Sequence, residues 1–321
     1  MPQGTIRPYQ PVQDEQAVFD LWERTFAPLW PLSREAFQHK TLNRRCYQPG
    51  DHLVAEVGEK IVGFVATQLP QIAGVAPRGE IMLIIVHPDY RRQGIGKRLL
   101  TQALDLLKQR GAVEVQLGAG GMAYFWPGVP TNLPDAWKFF EACGWTNLES
   151  SFDLVMPLNG YQTPAEVYGR IRLPNVTLTT AKPDQIPAIL QFEAHYFPKW
   201  LPYFQKVADN GDYADIVLAH NAENQILGTA EVLDGRIEGQ QHDFCVWQSL
   251  LGENIGGIGV LGVADEQQGN GIGLALAARV TEILQERGLT TSFIGYTWLV
   301  DWYGKLGYRL WREYNMSWRK L

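Results

Sequence analysis

Apolar positions along the chain repeat with two periods, and the order in which those periods alternate organises everything else. The run Ile81-Met82-Leu83-Ile84-Ile85-Val86 is continuous and rich in β-branched residues, as a strand buried on both faces is. A few residues later Leu99, Leu100, Ala103, Leu104 and Leu107 return at helical spacing. Gly94 and Gly96 lie between, so the order reads strand, short glycine loop, helix. Upstream, residues 5–9 read as an edge strand and 14–26 as a helix with Val18, Leu21 and Trp22 on one face. Residues 52–57 and 60–68 read as a hairpin through Gly58-Glu59. Downstream the helix runs to Arg110, where Gly111 stops it. A strand at 113–117, a Gly/Pro-rich loop at 118–134, a helix at 135–142 and a strand at 152–156 complete the series.

From about residue 176 the same order returns. A strand at 176–180 precedes a helix at 183–196, then a hairpin of 214–220 with 226–233, then a strand at 258–263. Gln268-Gly269-Asn270-Gly271-Ile272-Gly273 follows, and a helix runs to Arg287 before Gly288. The register is rigid through this block: 271 − 94 is 177, and 288 − 111 is also 177. A duplication therefore accounts for the 321 residues better than two unrelated domains. The register breaks afterwards, because Gly144 and Gly307 are 163 apart; the first copy carries 177 − 163 = 14 extra residues, within loop 118–134. The division predicted is 1–157, a linker at 158–175 with a short helix around 166–170, and 176–321.

Composition narrows the function classes. A hydrophobic content of 45% with 19% charged residues is globular, and a formal net charge of −6 argues against nucleic acid as the main partner. Arg91-Arg92 and Arg44-Arg45 stay open as local anion sites. Three widely spaced cysteines, Cys46, Cys143 and Cys245, offer neither a disulfide framework nor metal-ligand spacing, and no histidine pair stands at helical ligand spacing. No metal is expected. The first residues lack the pattern of a signal peptide, and no run reaches the roughly 20 apolar residues of a membrane span. A cytoplasmic location without membrane partners is the expectation.

The glycine loop carries the chemistry. Amides at the start of a helix, bared by glycines, form an anion cradle with the helix dipole behind them. A nucleoside-triphosphate loop would need Gly and Ser/Thr where Arg91 and Arg98 stand, and a dinucleotide fingerprint would need a small residue in place of Leu99. What matches is Arg91-x-x-Gly94-x-Gly96, which resembles the acyl-CoA pyrophosphate loop of the GCN5-related N-acetyltransferase (GNAT) superfamily. Each half also ends in a segment similar to that family's Tyr-x-x-x-Gly-Phe signature. These are Phe140-Glu141-Ala142-Cys143-Gly144-Trp145 and Tyr303-Gly304-Lys305-Leu306-Gly307-Tyr308.

The resemblance implies two tandem GNAT domains of the α/β class. Each would be a three-layer α/β/α sandwich around a mixed, largely antiparallel sheet, splayed where the cofactor lies. It implies cofactor contacts at Val86, Arg91, Arg92, Gln93, Gly94, Ile95, Gly96 and Lys97 in the first half. In the second half they fall at Val263, Gln268, Gly269, Asn270, Gly271, Ile272 and Gly273, with a strand amide near Val86 or Val263 as oxyanion donor. Glu80, fourteen residues before Gly94, matches the family's base carboxylate, and Tyr303 its proton donor. The halves divide this pair: Phe140 replaces the tyrosine in the first, and Gly257 (80 + 177) replaces the carboxylate in the second. There the base is Glu231, Asp301 or water.

Gly256, Gly257, Gly259 and Gly262 are unusual in a strand and suggest either close approach to a ligand or a bulge. The aromatic stretch 124–130 either lines an acceptor pocket or plugs the space between halves, and the aromatics from Trp298 to Trp318 read as packing. The expected function is an acetyl-CoA-dependent N-acetyltransferase acting by direct transfer on a small-molecule primary amine, an amino sugar or amino-acid derivative, with the second half favoured as the acetylating one. The alternative is a non-catalytic acyl-CoA-binding or regulatory protein.

Overall fold

The helix that follows the first glycine loop is α3 (Ile95–Gln109), and Ile95, Leu99, Leu100, Ala103 and Leu107 form its buried stripe. The computed structural model describes residues 4–42, 47–72, 74–120, 125–237 and 247–321. α3 covers a sheet of β1 (Thr5–Pro8), β2 (Leu53–Val57), β3 (Lys60–Gln68), β4 (Arg78–Val86) and β5 (Glu114–Leu117), joined in that order. Its other face carries α1 (Pro11–Phe26), which starts on a proline whose fixed φ suits the first turn. The Asp14 carboxylate accepts the Gln10 amide at 2.7 Å and is held by Arg7 at 2.7 and 2.8 Å. α2 (Arg34–Thr41) lies in a segment to which the sequence pattern assigns no element; Ser33 caps it, its hydroxyl accepting the Ala36 amide at 3.1 Å. β6 (Val129–Pro130), α4 (Pro134–Ala142) and β7 (Glu149–Pro157) end the first half.

The second half repeats the plan after α5 (Glu166–Gly169). It runs β8 (Thr177–Thr180), α6 (Ile186–Tyr196), α7 (Leu201–Asn210), β9 (Ile216–His220), β10 (Ile226–Asp234), α8 (Gln248–Leu251), β11 (Ile255–Val263), α9 (Ile272–Glu286), β12 (Thr291–Thr297), α10 (Val300–Gly304) and β13 (Arg309–Lys320). Its sheet is ordered β8 to β12.

Among the described residues pairing is antiparallel in both sheets except at one place in each, where it is parallel and short. β4 pairs β5 from Arg78↔Glu114 to Ile81↔Leu117, and β11 pairs β12 from Ile255↔Thr291 to Gly257↔Phe293. Each long strand then bulges. Ile81 faces Thr67 and Leu83 faces Ala66, leaving Met82 over, while Ile258 faces Val232 and Leu261 faces Ala230, so that Glu231 is skipped. Bulges bend a strand and deepen its twist. Among the described residues 83–86 and 258–263 therefore have no strand partner on that edge, which is the splay expected of the fold.

The final strands are exchanged. β13 lies antiparallel to β5, from Ser317↔Leu117 to Lys320↔Glu114, and β7 lies antiparallel to β12, from Pro157↔Thr291 to Leu154↔Ile294. The compact units are consequently Met1–Ser151 with Arg312–Leu321, and Phe152–Trp311. The halves 1–157 and 176–321 describe the repeat in the chain, whereas the units differ by this swap. A strand edge accepts any antiparallel strand of fitting pattern, so the sheets are indifferent to which repeat supplies it.

The segment between the repeats is anchored rather than free. Leu158 and Val167 are buried, Gln285 donates to the carbonyls of Leu158 and Tyr161 at 2.9 and 3.0 Å, and the Glu282 carboxylate accepts Thr163 and Tyr168 at 2.6 and 2.7 Å.

The exchange makes a testable statement. Deleting residues 312–321 should speed amide hydrogen exchange at Glu114–Leu117 in the first unit by orders of magnitude. Residues 291–294, paired with β7, should keep their protection. Loss confined to the second unit would contradict the pairing.

Candidate active site

Both glycine loops have the same backbone. A 3₁₀ turn (Pro88–Tyr90, Asp265–Gln267) leads into two residues of positive φ, Arg92 at 61° and Gly94 at 81° in the first, Gly269 at 80° and Gly271 at 83° in the second. Glycine takes that conformation freely, whereas Arg92 sits there at a steric cost of about 1 kcal/mol or more. Among the described residues, the amides of 92–97 and of 269–274 meet no acceptor; Arg98 and Ala275 are the first to bond back, to the carbonyls of Gly94 and Gly271. Six consecutive amides and a helix dipole thus face outward in each loop. The loops differ in charge, since Arg91, Arg92 and Lys97 correspond to Gln268, Gly269 and Leu274.

On the sheet face opposite α3 and α9 the halves part company. Gly63 pairs Val86 as Gly228 pairs Val263, so Phe64 and Ala66 of the first half correspond to Thr229 and Glu231 of the second. Around Phe64 the first unit is filled by aromatic rings. Trp126 stacks on Trp22 at 5.5 Å and 15°, Phe125 lies 5.0 Å from Trp22, and Phe37 packs on both Trp22 and Phe125. The aromatic stretch is thus a plug within the first unit's own core; Tyr124 lies outside the described residues.

The second unit places carboxyl groups on that face. Glu231, on β10 opposite the bulge of β11, is 7% exposed, and its Oε2 stands 2.5 Å from where a Cβ on Gly259 would lie. A glycine is required at that point of β11 for the carboxylate to fit. Burial pushes the Glu231 carboxyl up to about 7, against the pull of Lys206 and of a hydrogen bond from the Val260 amide, with Asp215 and Glu193 pushing the same way as burial. Glu193, on α6 and fully buried, accepts the Thr229 hydroxyl at 2.5 Å; burial raises it to about 7 as well. A carboxyl near neutrality can take a proton at working pH and release it again.

Tyr303 lies on α10, 7% exposed, edge-on to Trp302 at 4.6 Å and to Tyr308 at 5.9 Å. Burial raises its phenol well above the usual range, and its hydroxyl makes no hydrogen bond among the described residues. Tyr308 differs: its hydroxyl is tied to Ser292 at 2.7 Å and Thr281 at 3.0 Å, a core role. Phe140 occupies the matching place in the first half, edge-on to Phe139 at 5.1 Å.

Glu80 lies in the first unit and Tyr303 in the second, so one compact unit does not hold both. Glu80 is buried, not solvated, and both its oxygens are engaged, one by Gln68 and the other by the Gly120 amide at 3.0 Å. Asp301 is exposed at the start of α10. Glu193 belongs to no motif of the sequence, yet it interrupts the apolar stripe of α6, one turn after Ile189.

The model of the acetyltransferase (GNAT) family matches this chain twice, over residues 15–145 and 186–308. A mycothiol acetyltransferase of Saccharomonospora viridis is 34% identical over 131 residues, 38% of this chain and 42% of the relative. Among solved structures, one described as a GCN5-related glucosamine N-acetyltransferase region of a fungal multi-domain GH3 β-N-acetylglucosaminidase superposes with a TM-score of 0.90 at 29% identity, over 98% of this chain and 38% of that one. A GCN5-related N-acetyltransferase from Sphaerobacter thermophilus gives 0.70 at 17% identity, over 100% and 96%. This chain thus spans less than half the length of the first two.

The raised carboxyl groups predict a pH dependence of stability. Protonation is favoured in the folded state, so between about 4.5, the ordinary value, and about 7 the fold binds more protons than the unfolded chain. Stability should fall as pH rises through that window and level off above it. Thermal melts of Glu193→Gln should show a shallower fall than the parent between pH 5 and 8; identical slopes would refute the assignment.

Proposed function

This chain belongs to the acetyltransferase (GNAT) family, and from that premise we propose that it is an acetyl-CoA-dependent N-acetyltransferase whose reaction runs in the second half. The observation that carries this is the pairing, on one compact unit, of a buried carboxyl near neutrality, Glu231, with a phenol that has no hydrogen-bond partner among the described residues, Tyr303. The acceptor is the primary amine of a small molecule, an amino sugar of the glucosamine type. The 0.90 TM-score to a region described as a glucosamine N-acetyltransferase supports that class.

The residues divide the work as follows. Amides 269–274 hold the pyrophosphate of acetyl-CoA, and the unpaired edge of β11 lies beside the thioester end. Glu231 takes a proton from the acceptor ammonium. The freed nitrogen attacks the thioester carbon, and the oxygen that gains charge is held by a backbone N–H near Val263. The cationic nitrogen of the intermediate gives its surplus proton to solvent, collapse forms the amide and breaks the carbon–sulfur bond, and the departing thiolate takes the Tyr303 proton, which solvent returns. The first half, with Arg91, Arg92 and Lys97 on its loop but aromatic rings where Thr229 and Glu231 stand and Phe140 for the tyrosine, binds acyl-CoA without transferring its acyl group.

Thiol release from acetyl-CoA in the presence of glucosamine tests the reading. Tyr303→Phe should lower kcat roughly hundredfold or more, the usual weight of a general acid. Glu231 works ionised, so kcat/KM should rise through pH about 7, and Glu231→Gln should lower activity and remove that limb. Unchanged turnover in both variants, with loss in Glu80→Gln, would move the reaction to the first half.

A further inference from the structure

The second loop has the amides of a pyrophosphate site without its cations. Arg91, Arg92 and Lys97 of the first loop are replaced at the matching positions by Gln268, Gly269 and Leu274. Gln268 turns aside to the Asp265 carboxylate at 2.9 Å. A dianionic pyrophosphate on bare amides, with no positive side chain from the loop itself, is incompletely neutralised.

The segment between the repeats supplies what the loop lacks. Its backbone lies directly on the second loop: the Arg172 amide donates to the Asn270 carbonyl at 3.1 Å, and the Arg170 carbonyl oxygen stands 2.3 Å from where a Cβ on Gly271 would be. The contact uses a carbonyl and a bare Cα of the loop, so the six amides stay open. Among the described residues nothing comparable covers the first loop, where a Cβ on Gly94 would meet no atom within 4 Å. The strap is pinned along α9 through Glu282 and Gln285 and through buried Val167, so its position is built in. It brings two arginines beside the loop. Arg172 is exposed and makes no ion pair among the described residues; Arg170 has only an exposed 3.8 Å approach to Glu166.

We propose that Arg172, with Arg170, completes the second acyl-CoA site by pairing with the phosphates of CoA, so that the inter-repeat strap replaces the basic residues lost from the loop. This rests on the second half being an acyl-CoA site. Gly271 is then needed twice, for its positive φ and because any side chain would lift the strap and carry both cations away.

Calorimetric titration of the full chain tests this on a background of Arg91→Ala and Arg92→Ala, which weakens the first loop. Arg172→Ala should loosen CoA roughly tenfold, the weight of one charge-assisted hydrogen bond, while pantetheine, which lacks phosphates, binds as before. Dephospho-CoA separates the sources: an equal loss with it assigns the pyrophosphate, and a loss seen only with CoA assigns the 3′-phosphate. Arg172→Lys should recover part of the affinity, and added salt should weaken the parent more than Arg170→Ala/Arg172→Ala. In turnover, KM for acetyl-CoA should rise with kcat held. If Arg172→Ala binds CoA like the parent while Gly271→Ala abolishes binding, the arginine role is overturned and the second site stands. If CoA does not bind the second loop of the parent background, both readings fall.

Discussion

The rest of each unit depends on how early its one parallel strand pairing stops. β11 and β12 share only the stretch from Ile255↔Thr291 to Gly257↔Phe293 before the bulge turns β11 away. A buried strand cannot leave backbone N–H and C=O groups unpaired without a cost of about a hydrogen bond for each. Among the described residues the edge at 258–263 has no strand partner, and in the site proposed above it is the edge that would pair with the amide and carbonyl groups of acyl-CoA. The bulge that opens this edge also brings Glu231 to face Gly259. Open edge and buried carboxyl thus arise from one irregularity in the ladder.

Two copies of one backbone have been filled by opposite chemistry. Where the second unit spends its central face on Glu193, Thr229 and Glu231, the first stacks Trp22, Phe37, Phe64, Phe125 and Trp126. Full burial of a large apolar side chain stabilises by about 1.5–3 kcal/mol, whereas a buried carboxyl held near neutrality is a standing cost. On the reading proposed above, the first unit is the thermodynamically relaxed version of the site, and the second keeps the buried carboxyl groups that its chemistry would use.

Much of the fold was readable in the chain because its signals are local. Glycines at a fixed offset of 177 mark the two loops, and the resemblance of their motifs supplied the fold. Other features were hidden because they depend on partners distant in sequence. The aromatics of residues 309–320 read as packing, and nothing in that stretch says that it forms a strand or which sheet it joins. Glu231 could not be ranked above Asp301 without the bulge, since burial raises its carboxyl and only the three-dimensional packing buries it. Glu80 matches in spacing, but its engagement by Gln68 and Gly120 needs the β3 register and a loop forty residues away.

The exchanged strands set a clock on biosynthesis. The sheet that begins at Thr5 is closed beside β5 by residues as late as Lys320, so the first unit cannot complete itself while its own repeat is the only one made. At about 5–20 residues per second, the ribosome needs roughly 10–30 s to travel from the end of the first repeat to that strand. Throughout that interval β5 has an open edge, the kind that invites pairing with a neighbouring chain. A duplicated gene built this way cannot be separated into single-copy descendants without each copy first acquiring a replacement for the strand it borrows, which binds the two halves together in heredity as well as in structure.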